Sequence, residues 1–136
     1  MKLSLWRMTG LLILTTLSSS AMVSQAANVD TDKHLNCSAA GSQSEMEQCA
    51  AEALNEADAE LNQTYVDYRN RLGKAQQNQI RDVQLAWIKY RDLSCKYASG
   101  DNSGSTQVLA LQTCLTGKTL ERTREIKAAA TTVPAN

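Results

Sequence analysis

The stretch from residue 84 to residue 95, QLAWIKYRDLSC, places the strongest constraint on the fold of this chain. It lies within a run in which apolar or small side chains recur at steps of three and four, at Ile80, Val83, Trp87, Tyr90 and Ser94. That period is typical of one face of an α-helix. We therefore predict a helix that ends near residues 95–97 and whose core face carries Trp87 together with Gln84 and Arg91.

A second helix is predicted before this stretch. Ser44 and Glu47 have the S-x-x-E form of a capping box, so the helix should begin at Ser44. Apolar residues continue at helical spacing until Gly73, which is a typical C-terminal stop. The polar connector that follows, residues 74–78, ends in Asn78, a candidate cap for the middle helix.

A third helix is predicted from Ser105 or Thr106 to about Ala129, with Gly117 placed at a close helix crossing. Three helices joined by short connections predict an all-α antiparallel three-helix bundle. The residues expected at the centre of its core are Leu61, Tyr65, Trp87, Tyr90, Leu111 and Leu115.

The N-terminus has the pattern of a secretory signal peptide. Lys2 and Arg7 precede an apolar run at residues 11–17, and small residues lead to a cleavage position after Ala26. The run is far shorter than the ~20 residues that span a bilayer, which disfavours a membrane anchor. We expect a signal peptide at 1–26 and one periplasmic or secreted domain at 27–136, with an irregular lead-in at 27–43 and a frayed tail at 130–136.

The charge balance argues against nucleic acid as a partner. The chain has 14 Lys and Arg against 14 Asp and Glu, and loss of Lys2 and Arg7 with the signal peptide would leave a net charge of −2. Binding to phosphates needs a concentrated basic patch.

All four cysteines lie after the proposed cleavage position, and export would bring them where disulfides form and persist. Four cysteines allow three pairings. We favour Cys37 with Cys49 and Cys95 with Cys114, because each pair closes a short segment and the second brackets a Gly/Ser-rich loop. Each disulfide would stabilise the fold by roughly 3 kcal/mol. A zinc site is disfavoured because the chain has no C-x-x-C and its one histidine, His34, lies in the lead-in. We expect neither a metal nor a cofactor.

The segment between the second and third helices has turn chemistry throughout, SGDNSGS at residues 99–105. It either serves only to reverse the chain or presents backbone and small polar groups to a partner, with Lys96 at its base as a cation. The candidate partner-binding residues are Lys96, Ser99, Gly100, Asp101, Asn102, Ser103, Gly104 and Ser105.

Asp58 borders the apolar stripe of the first helix, so its carboxylate needs a partner, because an unpaired buried charge is very costly. Arg91 and Arg122 are the candidates on the later helices. A buried ion pair that fixes the register of the helices is the favoured interpretation, and a catalytic or ligand-binding role for Asp58 is the alternative.

Three motifs follow one another along the chain: Asp58-x-x-Leu61-Asn62-x-x-Tyr65, Gln84-x-x-Trp87-x-x-Tyr90-Arg91-Asp92-x-x-Cys95 and Cys114-x-x-x-x-Thr119-x-x-Arg122. With the four cysteines and the signal peptide, they resemble the LprI-like lysozyme-inhibitor N-terminal domain family from Cys37 to Ile126. The resemblance implies a small exported helical protein that inhibits lysozyme. We assign the matched polar positions to an internal network of hydrogen bonds and ion pairs: Asp58, Asn62, Gln84, Arg91, Thr119 and Arg122.

Two functions follow as hypotheses. In the first, the loop and Lys96 offer donors and a cation to the catalytic carboxylates of a lysozyme cleft. In the second, the protein is a periplasmic envelope or stress-response interaction module with no lysozyme target. An enzyme is disfavoured, because the sequence has no nucleophile elbow, metal constellation or phosphate-binding glycine loop. Removing Arg91 is expected to cost ~3–5 kcal/mol if it leaves Asp58 buried and unpaired.

Overall fold

The computed structural model describes Cys37 and residues 41–100 and 104–133. These residues form three α-helices, which we name α1 (Gln43–Asn70), α2 (Lys74–Ser99) and α3 (Ser105–Ala130). Their lengths of 28, 26 and 26 residues correspond to rods of roughly 40 Å. The predicted three-helix bundle is confirmed. None of the described helices is both long and apolar enough to cross a membrane.

Several predictions fall on residues outside this description. They are the signal peptide at 1–26, His34, the loop residues Asp101, Asn102 and Ser103, and the end of the predicted tail at residues 134–136. Within the predicted lead-in, only Cys37 and residues 41–43 are described.

Two disulfides join the cysteines in the predicted pairing. Cys37 is bonded to Cys49 in α1, with 5.7 Å between the Cα atoms. Cys95 near the end of α2 is bonded to Cys114 in α3, with 5.6 Å between the Cα atoms. The second disulfide therefore ties the C-terminal part of α2 to a position inside α3, and the Gly/Ser-rich loop lies in the segment that it closes.

α1 begins one residue before the predicted start, and its N-cap lies two residues before the predicted N-cap. The N-cap is Ser42, whose Oγ accepts a hydrogen bond from the backbone N–H of Glu45 at 3.3 Å and donates one to the Glu45 carboxylate at 2.9 Å. The prediction that Ser44 caps the helix is wrong, because the chain carries two overlapping S-x-x-E motifs and the structure uses the earlier one.

The connection between α1 and α2 is also shorter than predicted. α1 ends at Asn70 with Arg71 as C-cap, and Gly73 serves as the N-cap of α2. The Gly73 N–H donates to Oε1 of Gln76 at 3.4 Å, which supplies one of the partners that a helix start needs. Asn78 lies inside α2, so its prediction as a cap is wrong.

The packing of the bundle is centred on α3. This helix packs extensively against α1 and also against α2, whereas α1 and α2 hardly touch. The buried face of α1 must therefore lie on α3. Small side chains allow two helices to approach closely. Most of the buried residues on these two faces are alanines and threonines, which are small. The full set is Ala50, Ala53, Ala57 and Leu61 on α1, and Thr116, Thr119, Leu120, Thr123 and Ile126 on α3.

The face that α2 presents to α3 carries Gln84, Trp87 and Arg91, as predicted, but it does not include the whole of the predicted apolar row. Gln84 and Cys95 are its buried residues, whereas Val83 and Tyr90 are exposed. The prediction that Tyr90 is central to the core is wrong, because the contact with α3 is made by the polar side of the helix. Of the other predicted core residues, Leu61 is buried and the rest are partly buried, namely Tyr65, Trp87, Leu111 and Leu115.

Gly117 does not lie at a close helix crossing. A Cβ atom built on it would meet nothing within 4 Å. That prediction is wrong, and the close approach on α3 involves its threonine face instead.

Candidate functional site

One hydrogen-bonded cluster joins all three helices. Nη1 of Arg91 on α2 donates to Oδ1 of Asp58 on α1 at 2.8 Å and to Oγ1 of Thr119 on α3 at 2.9 Å. The Thr119 hydroxyl, which is fully buried, donates in turn to Asp58 at 3.3 Å. Nε of Arg91 is paired with Asp92 at 2.9 Å. A single guanidinium group therefore connects the three helices at one point.

A second pair of contacts lies farther along α3. Nε of Arg122 donates to Oε1 of Gln84 at 3.1 Å, and its Nη1 pairs with Glu125 at 2.9 Å. Trp87 connects this pair with the first cluster, because the Cζ atoms of Arg91 and Arg122 lie 5.4 and 5.8 Å from its ring centroid. Both distances are within the range of cation–π attraction.

These contacts hold the helices together through guanidinium groups that are already paired. Each guanidinium already has a carboxylate partner, Asp58 and Asp92 for Arg91 and Glu125 for Arg122. Neither arginine is thus left to receive an anionic ligand without breaking an existing pair. The described residues contain no group of three or more His, Cys, Asp or Glu side chains that could hold a metal ion.

Asp58 is less buried than the sequence suggested. Its side chain is 40% exposed, whereas that of Arg91 is 13% exposed. The expected loss of ~3–5 kcal/mol on removing Arg91 requires that Asp58 be left buried and unpaired. This condition is not met, because water can solvate the Asp58 carboxylate. Arg122, the other candidate partner of Asp58, pairs with Glu125 instead.

Asn62 lies outside the network. It is exposed on α1, and its side chain makes no hydrogen bond with the rest of the described chain. Its assignment to the internal network is wrong, because a match to the family motif does not state whether a polar side chain faces the other helices or solvent. The other matched positions lie in the two groups of contacts: Asp58, Gln84, Arg91, Thr119 and Arg122.

A groove of about 530 Å³ runs between α2 and α3 towards the loop. Three apolar side chains line it on the α3 side: Val108, Leu111 and Leu115. Polar and charged side chains complete the lining: Arg91, Asp92, Lys96, Ser99 and Gln107. The groove therefore connects the three-helix cluster with the base of the predicted partner-binding loop.

The base of the loop is held by local hydrogen bonds. The Ser99 hydroxyl donates to the Lys96 carbonyl at 3.1 Å, and the Gly100 N–H donates to the Tyr97 carbonyl at 3.3 Å. The Gly100 carbonyl accepts from Nε2 of Gln107 on α3. Gly100 has φ +76°, a conformation that glycine adopts without strain.

The structure gathers the described candidates for partner binding at one end of the bundle. Lys96 is exposed and forms no ion pair with another described residue. The others border the loop: Ser99, Gly100, Gly104 and Ser105. Sequence reasoning missed the apolar groove beside them. Leu111 and Leu115 are visible in the sequence as apolar residues at helical spacing, but that spacing predicts core positions for them.

Comparison with known proteins gives two matches. The family model described as Lysozyme inhibitor LprI matches residues 35–126. An uncharacterized protein from Rhizobium meliloti (strain 1021) is 32% identical over 107 residues, which cover 68% of this chain and 76% of that protein. No solved structure gives a significant match. The region matched by the family model contains both disulfides, the three-helix cluster and the groove.

Proposed function

The chain belongs to the lysozyme inhibitor LprI family, and from this premise we propose that it is an exported protein that binds and inhibits lysozyme. The proposed contact surface is the end of the bundle that carries the loop at residues 99–105 and the neighbouring groove. The observation that carries this assignment is an exposed Lys96 that has no ion pair with the described residues and lines a largely apolar groove, close to a loop that a disulfide brackets.

The chemistry of the target favours this surface. A lysozyme cleft contains a glutamic acid and an aspartate that act on the glycosidic bond. A protein that blocks such a cleft needs hydrogen-bond donors and a cation, and it needs no catalytic group of its own. Lys96 supplies the cation, and no ion pair with the described residues has to break before it can engage a carboxylate.

The groove adds apolar area next to these polar groups. Protein interfaces commonly combine an apolar centre with a polar rim. Leu111 and Leu115 provide such a centre, and Ser99 and Lys96 provide part of the rim. In the complex, an apolar side chain from the edge of a lysozyme cleft would be buried in this groove.

The Cys95–Cys114 disulfide supports the same proposal. It fixes the C-terminal part of α2 against α3, with the Cα atoms of Cys95 and Cys114 5.6 Å apart. A surface that is already ordered loses less conformational entropy on binding. Two helices linked by a disulfide would therefore let the short loop between them bind with useful affinity.

Export is part of the proposal. The N-terminal residues have the pattern of a signal peptide, and two disulfides are typical of proteins outside the reducing cytoplasm. A family of lysozyme inhibitors also belongs where lysozyme acts on the cell wall.

A turbidity assay of bacterial lysis by lysozyme tests the proposal, with the mature chain from residue 27 to residue 136 as the added protein. We expect the wild type to slow lysis and Lys96→Ala to weaken inhibition about tenfold, as for an interface residue worth ~1.4 kcal/mol. Deletion of residues 101–103, which keeps both disulfides, should have at least as large an effect.

Lys74→Ala is the matched control. Lys74 is also an exposed lysine on α2, but it lies at the opposite end, roughly 33 Å along the helix from Lys96. Thermal melting of each variant checks that it is folded. Wild-type inhibition by both Lys96→Ala and the loop deletion would remove the proposed contact surface. A wild-type protein that leaves lysis unchanged would instead support the alternative, an envelope interaction module with no lysozyme target.

A further inference from the structure

The outer side of α2 carries a row of exposed apolar side chains. These residues alternate at spacings of three and four: Val83, Ala86, Tyr90, Leu93 and Tyr97. All five are exposed, and Tyr97 is 90% exposed. We name this row the α2 seam. None of its residues lines the groove beside the loop.

The α2 seam faces away from the rest of the bundle. At 100° per residue, its centre lies roughly 140° around the helix from the face that Gln84, Arg91 and Cys95 present to α3. α1 hardly touches α2, and α3 reaches this side with the side chain of Lys118 at Tyr90, so most of the seam is left uncovered by the described helices. Alternating steps of three and four over two heptads form the a/d pattern of a two-stranded coiled coil.

We propose that the α2 seam packs against the α2 seam of a second copy of this chain, with the two helices antiparallel. A two-fold axis would pass at the level of residues 88 and 89. Val83 would then pack against Leu93 of the partner subunit, and Ala86 against Tyr90 of the partner subunit. The two-fold symmetry repeats both layers, so the centre of the interface consists of four apolar layers.

The charges beside the seam favour this register. Asp82, Lys89 and Lys96 follow one another at intervals of seven residues along one edge of the seam. In the antiparallel arrangement, residues on this edge face the same edge of the partner subunit. Asp82 would face Lys96 of the partner subunit, and the symmetry would form this pair twice. Lys89 would face Lys89 of the partner subunit, and Tyr97 would face Gln79 of the partner subunit, which are the two unfavourable contacts.

Other arrangements fit less well. A parallel pair would place no lysine opposite Asp82. If each residue faced the partner residue one heptad later than in the proposed register, Lys89 would lie opposite Lys96 of the partner subunit. If it faced the partner residue one heptad earlier, Tyr90 and Leu93 would lie opposite glutamines at positions 79 and 76 of the partner subunit.

The exposed area of the seam suits a weak dimer. Its four large side chains expose on the order of 500 Å² per copy, since an aromatic side chain alone offers 150–250 Å². Two copies would bury on the order of 1,000 Å², near the lower limit for a specific interface. Nζ of Lys118 on α3 lies 4.9 Å from the ring centroid of Tyr90 and holds this ring at the edge of the seam.

Sedimentation velocity of the disulfide-bonded mature chain tests the proposal over a range of concentrations up to about 1 mM. We expect the wild type to form a dimer as concentration rises. Leu93→Glu should weaken the dimer at least tenfold, whereas Leu85→Glu should behave as the wild type. These two leucines are matched, because both lie on α2 and are 59% and 60% exposed, but only Leu93 belongs to the seam.

Charge reversal tests the register. Asp82→Lys should weaken the dimer several-fold, and adding Lys96→Asp should restore it, because the reversed pair re-forms across the axis. Lys89→Gln should tighten the dimer by removing the repulsion.

A wild type that stays monomeric, or equal effects of Leu93→Glu and Leu85→Glu, would overturn the proposal. Failure of the double reversal to restore association would overturn the antiparallel register. No lysozyme is present, so the outcome is independent of inhibition.

Discussion

The two contact regions of α3 are built in different ways. Against α1, it packs small buried residues such as Thr116 and Thr123 on a face that includes Ala53 and Ala57. The hydroxyls of these two threonines bond to carbonyls four residues earlier in α3, at 2.9 and 3.0 Å. Close packing of side chains whose hydroxyls are already hydrogen-bonded is therefore the main interaction that holds α1 and α3 together.

Against α2, the contacts are polar and aromatic. Arg91, Arg122 and Gln84 form hydrogen bonds there, and Trp87 lies between the two guanidinium groups. The Cys95–Cys114 disulfide adds a covalent link near the loop. Much of the apolar surface of α2 stays exposed. α1 and α3 therefore supply most of the core, while α2 is attached by specific contacts and leaves apolar surface exposed.

The largest expected effect comes from truncating the apolar core between α1 and α3. Leu61 is 3% exposed, so Leu61→Ala should lower the free energy of unfolding by about 2–5 kcal/mol. Leu85→Ala on the exposed side of α2 should change it by less than about 0.5 kcal/mol. Urea denaturation followed by circular dichroism measures both. Equal losses would show that α2 contributes as much core as α1.

Overpacking of the α1–α3 contact should have the next largest effect. Ala57 is fully buried, so Ala57→Leu should destabilise the fold by about 1–3 kcal/mol because the helices have to move apart. Ala59, which is exposed on the same helix, gives the control Ala59→Leu. Thermal melting of both variants sharpens the comparison, and a neutral Ala57→Leu would mean that the two helices are not closely packed.

Removal of the guanidinium that connects the three helices should cost less. Arg91→Ala removes the bonds to Asp58 and Thr119, but partial exposure of Asp58 limits the loss to about 1–2 kcal/mol. The matched control is Arg81→Ala, because Arg81 also pairs with the next aspartate along α2 but lies on the surface. Chemical denaturation should show almost no change for the control. A loss of more than 3 kcal/mol for Arg91→Ala would mean that Asp58 is effectively buried.

The smallest expected effect is a gain in stability. Gly117 lies inside α3 with open space where a Cβ would be, so Gly117→Ala should raise the free energy of unfolding by about 0.5–1 kcal/mol. Gly100→Ala should be destabilising, because φ is +76° there. Melting curves of the two variants should therefore shift in opposite directions. A destabilised Gly117→Ala would indicate a tight contact at that position.

Sequence reasoning predicted the three helices and the disulfide pairing because both follow from local spacing and short loops. It also placed Gln84 and Arg91 on the core face of α2, but it wrongly added Val83 and Tyr90 to that face. Val83 and Tyr90 repeat at helical spacing, but periodicity does not state whether an apolar row faces its own bundle or solvent. The contact is made by Gln84 and Arg91, whose partners are far away in the sequence.

The remaining errors have similar causes. Two overlapping S-x-x-E motifs made the start of α1 ambiguous, and only the backbone geometry selects Ser42. The groove at the loop end was also hidden, because Leu111 and Leu115 look like core residues in a sequence. Whether such residues are fully covered depends on how α2 and α3 diverge, which is a property of the assembled bundle.

Native-state hydrogen exchange tests the central claim most directly, at a protein concentration where the chain is monomeric. We expect amides near Ala57 in α1 and Thr119 in α3 to exchange only through global unfolding. Amides near Gln84 in α2 should exchange through a smaller opening that leaves α1 and α3 paired. Protection of the α2 amides equal to or greater than that of α1 would contradict the account.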